Sequence, residues 1–520
     1  MARRRLSIGE GIMRGGAILA AEQVVSAGLG TVFLLLFVRQ VGSADFGLWS
    51  IAYATAAVAS IATTGLHLTL ERFLPEYLEQ GDGIRARWLT SRVLILKVAL
   101  GVLAAGGLSA AAPLIAASFD RPELTLLIRL LALWLAADSI ANCGRSLLLG
   151  LQEFPIRIAC TTLQGLVNVV AALAAVVTGG GLVFITWGFV ASTVVAGLPQ
   201  VVIGYRLLLT ETKDRSMPTQ PAGEPSPWRR VLRYGLPLTA SGALFQLYLS
   251  LAKLILGYMV GPQGTGIFSF ASGILERFTA LSGSATSAFL PSFSRLMARS
   301  DLASLRRYGL PVFRLSLLLA ALTTVFLFTF AREITLGLGG HEFLGAAVVL
   351  QVLSFQAMLR IPALSLSSLL YAFEDAFTGL LINVVKLSAE FVLYMSLIPV
   401  MAERGAAAAQ VISYGLALVA LWWALRRRAG LDAGDYGLSF LWAAVLVTPV
   451  LAMAALVDHY SPSLVAGLLL KVGLACVLAV ACGTFVALKT GVSLRAADAR
   501  KLWSRPLRGL WSLDAEGEAR

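Results

Sequence analysis

Apolar residues in this chain are grouped in long, continuous blocks that short polar segments separate. About fourteen blocks have the roughly 20 residues that a helix needs to cross a bilayer. Backbone groups inside a bilayer must be paired within the segment, and these blocks are too long and continuous for the alternating strands of a barrel. We therefore predict membrane-spanning helices at roughly 14–40, 44–68, 92–117, 123–149, 156–178, 181–208, 233–260, 264–290, 308–331, 344–370, 377–400, 405–425, 437–457 and 463–487.

The overall composition also indicates that lipid is the solvent. Of the 520 residues, 58% are hydrophobic and only 14% are charged, and the mean hydropathy is +0.79. Soluble domains carry about 25% charged residues. The first apolar block, from Gly15 to Val38, is too long for the core of a cleaved signal peptide, so we expect it to be a permanent span.

The distribution of Lys and Arg predicts the orientation. The formal net charge is +13, which in a soluble chain would suggest nucleic acid as a partner. Here, with the N-terminus inside, nearly all basic residues fall on inner loops and the C-terminal tail, and only Arg39, Arg121, Arg332 and Arg404 fall outside. An even number of spans returns the C-terminus to the same side. Both termini are therefore expected in the cytoplasm, with membrane lipid and no nucleic acid as partner.

The chain contains an internal repeat. Segment 41–52 recurs as 260–271, Leu74-Pro75 matches Leu290-Pro291, and the offset stays near 220 residues. Each copy holds six predicted spans, so both copies have the same orientation and should be related by a pseudo-twofold axis along the membrane normal, with a site between them. The predicted organisation is a six-helix lobe at 1–208, a cytoplasmic linker at 209–232, a second six-helix lobe at 233–428, two additional spans at 429–488 and a basic cytoplasmic tail at 489–520.

Motifs for an enzyme, a metal or a cofactor are not evident in the sequence. The four cysteines lie in or at apolar segments and the three histidines are scattered, so we expect packing roles and no metal site. A phosphate-binding G-x-x-x-x-G-K motif is missing, and the short outer loops leave no room for a catalytic domain. We expect a protein that is not an enzyme, has no cofactor and is not driven by ATP bound to this chain.

Residues 14–82 resemble the polysaccharide transporter (Wzx-type oligosaccharide flippase) family of the multidrug/oligosaccharidyl-lipid/polysaccharide (MOP) exporter superfamily. The resemblance is carried by the turn VGSADFGLW at 41–49, by TGL at 64–66, by ERFLPEY at 71–77 and by GD at 81–82. The six-plus-six-plus-two layout extends it over the whole chain. The resemblance implies an all-α integral membrane fold of about fourteen helices, with two parallel six-helix repeats and two extra C-terminal helices.

The same resemblance implies a function. Such a protein moves undecaprenyl-pyrophosphate-linked oligosaccharide from the inner to the outer leaflet of the bacterial inner membrane by alternating access. Polymerase and chain-length proteins of the same pathway are the implied partners. One alternative is a lipid II flippase, although the DAFF and PNLLR signature of that family is absent. Another is a cation-coupled drug antiporter, which would usually have twelve spans and an acidic, aromatic-lined pocket.

Polar side chains inside the predicted spans form the candidate site, because an unpaired ionisable group at membrane depth is costly and is usually functional. Many are spaced three or four residues apart, which places them on one helix face. We interpret them as a cationic cavity between the lobes, since Lys and Arg suit a pyrophosphate. The candidate pyrophosphate and sugar ligands are Gln246, Lys253, Arg277, Arg360, Asn383 and Lys386.

Four acidic residues in the spans are candidates for coupling transport to protons or sodium, namely Glu22, Asp138, Glu276 and Glu390. The alternative interpretation is that the charged residues form internal ion pairs. Lys386 and Glu390, for example, are four residues apart and could neutralise each other, whereas Glu276 and Arg277 are adjacent and should point to different helix faces.

Overall fold

A computed structural model of the chain describes residues 8–213, 227–287, 302–372, 376–429 and 433–460, together with 471 and 473. These ranges are almost entirely helical, which confirms the predicted all-α fold class. The helices are α1 (Ile8–Ala59), α2 (Leu68–Glu79), α3 (Gly83–Ser118), α4 (Leu124–Gly150), α5 (Phe154–Thr178), α6 (Gly181–Glu211), α7 (Pro227–Met259), α8 (Pro262–Ser287), α9 (Leu302–Thr329), α10 (Ala331–Gly339), α11 (Gly345–Ala372), α12 (Ala376–Ala429) and α13 (Ala433–Tyr460).

Within the described ranges, ten helical stretches are long and apolar enough to cross a membrane. Two of these stretches each contain two predicted spans, because non-helical backbone interrupts α1 at Gly42 (φ 75°, ψ 179°) and α12 at Ala402 (φ 49°, ψ −128°). The predicted span 463–487 lies outside the described residues except for Lys471 and Gly473. The exact number of spans therefore stays a prediction.

Several helix boundaries differ from those predicted. The second span ends earlier than 68, in a 3-10 turn at Ser60–Thr63, and α2 then forms a separate helix that buries Leu70, Phe73 and Leu74. Helix α3 begins at Gly83 rather than near 92, because the Asp82 carboxylate caps it by accepting a hydrogen bond from the Arg85 backbone N–H at 2.9 Å. Polar residues that lie between the predicted second and third spans thus belong to α2 and to the first turns of α3.

Helices of the two repeats pack in the same order. In the first, which we call the N-lobe (α1–α6), α3 packs on α4, α4 on α6, and α1 on α5. In the second, the C-lobe (α7–α12), the corresponding pairs are α9 with α11, α11 with α12, and α7 with α12. Between the lobes, α1 packs against both α7 and α8. This is the arrangement expected of two copies of one unit that meet along their first two spans.

Two glycines at equivalent positions of the repeat lie at a close contact between the lobes. Gly47 and Gly266 occupy equivalent positions in the repeat, as do Ser43 and Pro262. A Cβ atom on Gly47 would overlap the carbonyl group of Pro262, and one on Gly266 would overlap the carbonyl group of Ser43. The two backbones therefore touch symmetrically. We call this contact the outer seam, because the predicted orientation places this end of the molecule outside.

Two reciprocal capping interactions reinforce the outer seam. The Arg39 guanidinium of the N-lobe donates to the carbonyls of Gly337 (2.5 Å) and Leu338 (3.3 Å), in the last turn of α10. In return, a carboxylate oxygen of Glu342 accepts a hydrogen bond from the Ser43 N–H at 3.3 Å, at the start of the helical segment after Gly42. A cation at a helix C-terminus and an anion at a helix N-terminus both complement the helix dipole.

We predict that Gly47→Val opens the outer seam. The added side chain has to displace the Pro262 carbonyl, and overpacking of this kind costs about 1–3 kcal/mol. Each 1.4 kcal/mol lowers the ratio of molecules with a closed seam to those with an open seam roughly tenfold. Spin labels on cysteines introduced at the exposed positions Asp45 and Gln263, in a background without the native cysteines, would report the change as a longer interlobe distance. Gly107→Val is the matched control, since nothing lies within 4 Å of a Cβ at Gly107. An unchanged distance distribution in Gly47→Val would contradict the prediction.

Candidate functional site

Helices α1 and α8 border two cavities at the interface between the lobes. The larger has a volume of about 650 Å³ and an almost wholly apolar lining, which includes Val24, Leu34, Ile274, Phe278 and Phe326. The smaller, of about 420 Å³, is much more polar. Its lining includes Gln23, Ser26, Gly30, Gly273 and Glu276. Ala27 and Arg277 line both cavities, so an apolar and a polar compartment meet at these two residues.

Arg277 connects the two lobes at this junction. Its guanidinium donates one hydrogen bond to the Gly273 carbonyl of its own helix at 2.7 Å and another to the Gly30 carbonyl of α1 at 3.1 Å. Within the described part of the chain it has no carboxylate partner. A guanidinium has five N–H donors, so Arg277 keeps unused donors and an uncompensated positive charge.

The neighbouring residue, Glu276, points into the C-lobe. Its carboxylate pairs with the Arg360 guanidinium of α11 at 2.5 Å. The side chain of Glu276 is 34% exposed and that of Arg360 is 11% exposed, so the acid side of the pair faces the polar cavity and the arginine side is enclosed. As predicted from their adjacency, Glu276 and Arg277 lie on different faces of α8.

Lys386 lies between two tyrosine rings of the C-lobe. Its Nζ atom is 3.7 Å from the ring centroid of Tyr248 and 3.8 Å from that of Tyr414. The two rings stand edge to face, with centroids 5.7 Å apart. The Arg360 guanidinium carbon lies 5.9 and 5.8 Å from the same two centroids, and the Gln356 amide donates to the Tyr248 hydroxyl at 2.7 Å. Side chains of α7, α11 and α12 thus form one cluster.

Glu390 is fully buried on α12 and does not pair with Lys386. One carboxylate oxygen accepts a hydrogen bond from the Tyr394 hydroxyl at 2.6 Å, and the other has no hydrogen-bond partner among the described residues. The direct ion pair that the i, i+4 spacing allows between Lys386 and Glu390 is not formed in this structure. The ammonium of Lys386 contacts aromatic faces instead.

The remaining acidic candidates lie in the N-lobe. Glu22 of α1 is buried and pairs with Arg157 of α5 at 3.5 Å. Asp138 accepts hydrogen bonds from Asn142 at 2.8 Å and from Arg145 at 2.9 Å, all within α4. The helical spacing brought these last three residues together as expected.

The other candidate ligands differ in their surroundings. Lys253 is half-buried and makes no hydrogen bond or ion pair with the described residues, although it is close enough to Glu276 for electrostatic attraction. Gln246, also on α7, is half-buried. Asn383 is exposed on α12 and has exposed apolar neighbours at Val384 and Val385.

Some polar contacts were not foreseen. Tyr248 and Tyr414 were not among the candidates, because a contact between distant helices leaves no spacing signal in the sequence. Lys97 is fully buried and donates to the Thr63 carbonyl at 2.6 Å, and Lys471 pairs with Glu333 at 2.7 Å. Among the residues that the structure describes, no three His, Cys, Asp or Glu side chains are grouped as a metal site would require.

The fold is that of the MOP superfamily transporters. It is similar to the lipid II flippase MurJ in an inward closed conformation (TM-score 0.68, 12% identity, 91% of this chain and 99% of that chain). It is also similar to an inward-facing multidrug resistance MATE family transporter, with a TM-score of 0.63 and 18% identity over 78% of this chain and 94% of that chain. A third similar structure is a MOP superfamily transporter from Pyrococcus furiosus described as having a binding pocket of reverse polarity. Its TM-score is 0.53, with 17% identity over 80% of this chain and 95% of that chain.

Within that class, the sequence identifies the family. Residues 12–297 match the family model described as polysaccharide biosynthesis protein, which is more than half of the chain. The chain therefore belongs to this family, as its N-terminal motifs predicted. A search of the curated proteins found no match.

We predict that Glu276→Ala destabilises the C-lobe, because it leaves the Arg360 guanidinium enclosed without its counter-ion. The expected cost is about 1–3 kcal/mol, since Glu276 is partly open to solvent. Equilibrium unfolding in mixed micelles would measure it. Arg72→Ala, which breaks the exposed Arg72–Glu76 pair, should cost only about 0.3–0.5 kcal/mol and is the control. The double variant Glu276→Met/Arg360→Met should regain stability relative to Glu276→Ala. Equal stability of Glu276→Ala and Arg72→Ala would refute a structural role for the pair.

Proposed function

We propose that this protein is a flippase that moves an undecaprenyl-pyrophosphate-linked oligosaccharide from the inner to the outer leaflet of the bacterial inner membrane. The observation that carries the proposal is the junction at Arg277, where an apolar cavity meets a polar one between the lobes. A lipid-linked substrate has the same division, with an apolar chain, a charged pyrophosphate and a polar glycan. Arg277 is at the position where the charged part would lie.

The charge of the site favours an anionic ligand. Arg277 lines both cavities, Arg360 pairs with Glu276 of the polar cavity, and Lys386 lies against the same tyrosine ring as Arg360. Lys253 of α7 adds a fourth cation to this lobe, against the two acidic candidates Glu276 and Glu390. An excess of positive charge at membrane depth is costly unless a counter-ion offsets it. A pyrophosphate provides several oxygens that accept charge-assisted hydrogen bonds.

The geometry suggests a role for three of these basic residues. Arg277 has unused donors at the junction, and Lys253 has no direct partner among the described residues, so these two are the cations with donors to spare for a pyrophosphate. Arg360 is occupied by the Glu276 carboxylate, which takes the place that a phosphate oxygen would take. A bound pyrophosphate would therefore compete with Glu276 for Arg360.

The polar and acidic candidates keep the roles proposed from the sequence. Gln246 and Asn383 would contact the polar part of the substrate, Gln246 from α7 and Asn383 from the exposed face of α12. Glu22, Asp138, Glu276 and Glu390 are the candidates for coupling to protons or sodium. Of these, Glu390 combines full burial with an oxygen that has no hydrogen-bond partner in the described part of the chain.

Transport would proceed by alternating access between the lobes at 1–208 and 233–428. The outer seam at Gly47 and Gly266 would open and the inner ends would close as the lobes rock. The linker 209–232, the spans at 429–488 and the tail 489–520 would lie outside this moving core. Helix α6 extends to Glu211 and α7 begins at Pro227, so both helices reach into the predicted linker. Both termini would face the cytoplasm, and polymerase and chain-length proteins of the same pathway would be the partners.

Two other functions remain as outcomes of the test. The similar structure of MurJ is that of a lipid II flippase, and lipid II is also a polyprenyl-pyrophosphate lipid. The similar MATE structures are those of multidrug resistance transporters. The excess of basic residues in this site favours an anionic lipid-linked substrate over a cationic drug.

We predict that purified protein in liposomes exchanges a fluorescent polyprenyl-pyrophosphate oligosaccharide between leaflets, and that Arg277→Ala and Lys253→Ala slow the exchange. Loss of one charge-assisted hydrogen bond of about 1.5–3 kcal/mol corresponds to a reduction of roughly tenfold or more. Dithionite quenching of the outer leaflet would follow the exchange. Arg277→Lys should retain part of the rate, because it keeps the charge but not the fork of donors.

The control for this assay is Arg121→Ala, which removes an exposed basic residue on the α3–α4 loop, away from the cavities. If the wild type exchanges the lipid and neither cavity variant differs from Arg121→Ala, the site is assigned wrongly. Exchange of lipid II alone would favour the lipid II alternative. No exchange of either lipid, with uptake of a cationic dye, would favour a drug antiporter.

A further inference from the structure

The contact of Lys386 with two aromatic rings is a cation–π interaction. An ammonium group within about 6 Å of a tyrosine centroid is attracted by the negative face of the ring, more strongly when both groups are desolvated. Lys386 is 8% exposed, and its Nζ atom lies less than 4 Å from two such centroids at once. No carboxylate among the described residues pairs with it. Glu390, one turn further along α12, attracts Lys386 without touching it, so the rings of Tyr248 and Tyr414 are the groups in direct contact with the ammonium.

We infer that Tyr248 and Tyr414 form a cation-binding site that this protein fills with its own Lys386. In this arrangement Lys386 is a positioning residue and not a ligand of the transported anion. It fixes the two tyrosines, and Tyr248 in turn receives the Gln356 amide hydrogen bond and lies beside the Arg360 guanidinium. The ammonium of Lys386 therefore helps to set where Arg360 points.

The surroundings of the two rings explain why a permanently attached cation suits this site. Arg360 shares both rings at the longer distances of 5.8 and 5.9 Å and is neutralised by Glu276. If the cation were a free ion, its departure would leave the two tyrosine rings without a cation at membrane depth, beside the Arg360–Glu276 ion pair. Attachment to α12 keeps the cation in place during a conformational change, because it removes the entropy cost of binding it again.

The inference defines the class of ligand that the emptied site should accept. Lys386→Ala removes Cγ, Cδ, Cε and Nζ, and n-propylammonium contains the same non-hydrogen atoms. The emptied site should therefore bind a small primary alkylammonium ion of about this length. A neutral alcohol of equal length fills the space but lacks the charge that the rings attract.

The first test is thermal unfolding of detergent-solubilised Lys386→Ala, which needs no transported substrate. We expect a lower melting temperature than that of the wild type. Addition of n-propylammonium chloride should restore it, whereas potassium chloride at equal concentration and 1-propanol should not. Methylammonium should act more weakly and hexylammonium should not act. The wild type, whose site is occupied, should show no shift specific to n-propylammonium.

Two further variants make the test specific. Lys253→Ala removes an equal side chain from the same lobe, but Lys253 contacts no aromatic ring within the described structure, so alkylammonium ions should not stabilise it. Lys386→Ala/Tyr414→Leu lacks one of the two rings and should lose most of the response. Wild-type stability of Lys386→Ala, a response to 1-propanol equal to that to n-propylammonium, or no response to either would overturn the inference.

The transport part of the inference rests on the proposed function and is tested separately. In the liposome assay, Lys386→Ala should reduce leaflet exchange about tenfold or more, and n-propylammonium should restore part of it. Restored exchange in Lys386→Ala, with none in Lys253→Ala, supports a positioning role. If the wild type exchanges no lipid, the proposed function fails while the thermal result still decides whether the cation site exists. Restored stability without restored exchange would overturn the positioning role and leave Lys386 as a ligand of the substrate.

Discussion

A charged side chain inside a bilayer must find a partner within the protein, and the form of that partner decides what the charge can do. Among the described residues, three cations of the C-lobe have three different kinds of partner. Arg360 has a carboxylate, Lys386 has two aromatic faces, and Arg277 has only backbone carbonyls. Carbonyl dipoles hold a guanidinium in place without cancelling its charge. Of the three, Arg277 is therefore the one whose charge is still available to a ligand, and it lies where two cavities meet.

The two lobes combine similar packing with different chemistry. Corresponding helices contact one another in the same order, and the repeat-related Gly47 and Gly266 approach the opposite backbone in the same way. The polar side chains do not follow this symmetry. In the N-lobe, Asp138, Asn142 and Arg145 satisfy one another within α4, and Glu22 of α1 pairs with Arg157 of α5. In the C-lobe, the charges are connected across α7, α8, α11 and α12, so their arrangement depends on how those helices are placed.

This difference also explains how much could be predicted from the sequence. Spacing within a helix is fixed, so the grouping on α4 and the different directions of Glu276 and Arg277 followed from residue numbers alone. The membrane-spanning class and the repeat were predictable for the same reason, since both depend on periodic patterns. The tyrosine contacts of Lys386 were not, because they depend on the rotation of α7 against α12. The separation of α2 from the second span was also missed, as an apolar count does not detect the 3-10 turn at Ser60–Thr63.

Helix α8 connects the outer seam to the charged site. Near its N-terminus, Gly266 touches the backbone of α1, and about three turns further along, Glu276 and Arg277 reach into the C-lobe and toward α1. Opening the seam requires α8 to move relative to α1, and this motion would also stretch the bond from Arg277 to the Gly30 carbonyl. A pyrophosphate bound to Arg277 offers that guanidinium stronger acceptors than a carbonyl does. Substrate binding would thereby weaken a contact that holds the lobes together, which is the differential interaction that a ligand needs in order to shift a conformational equilibrium.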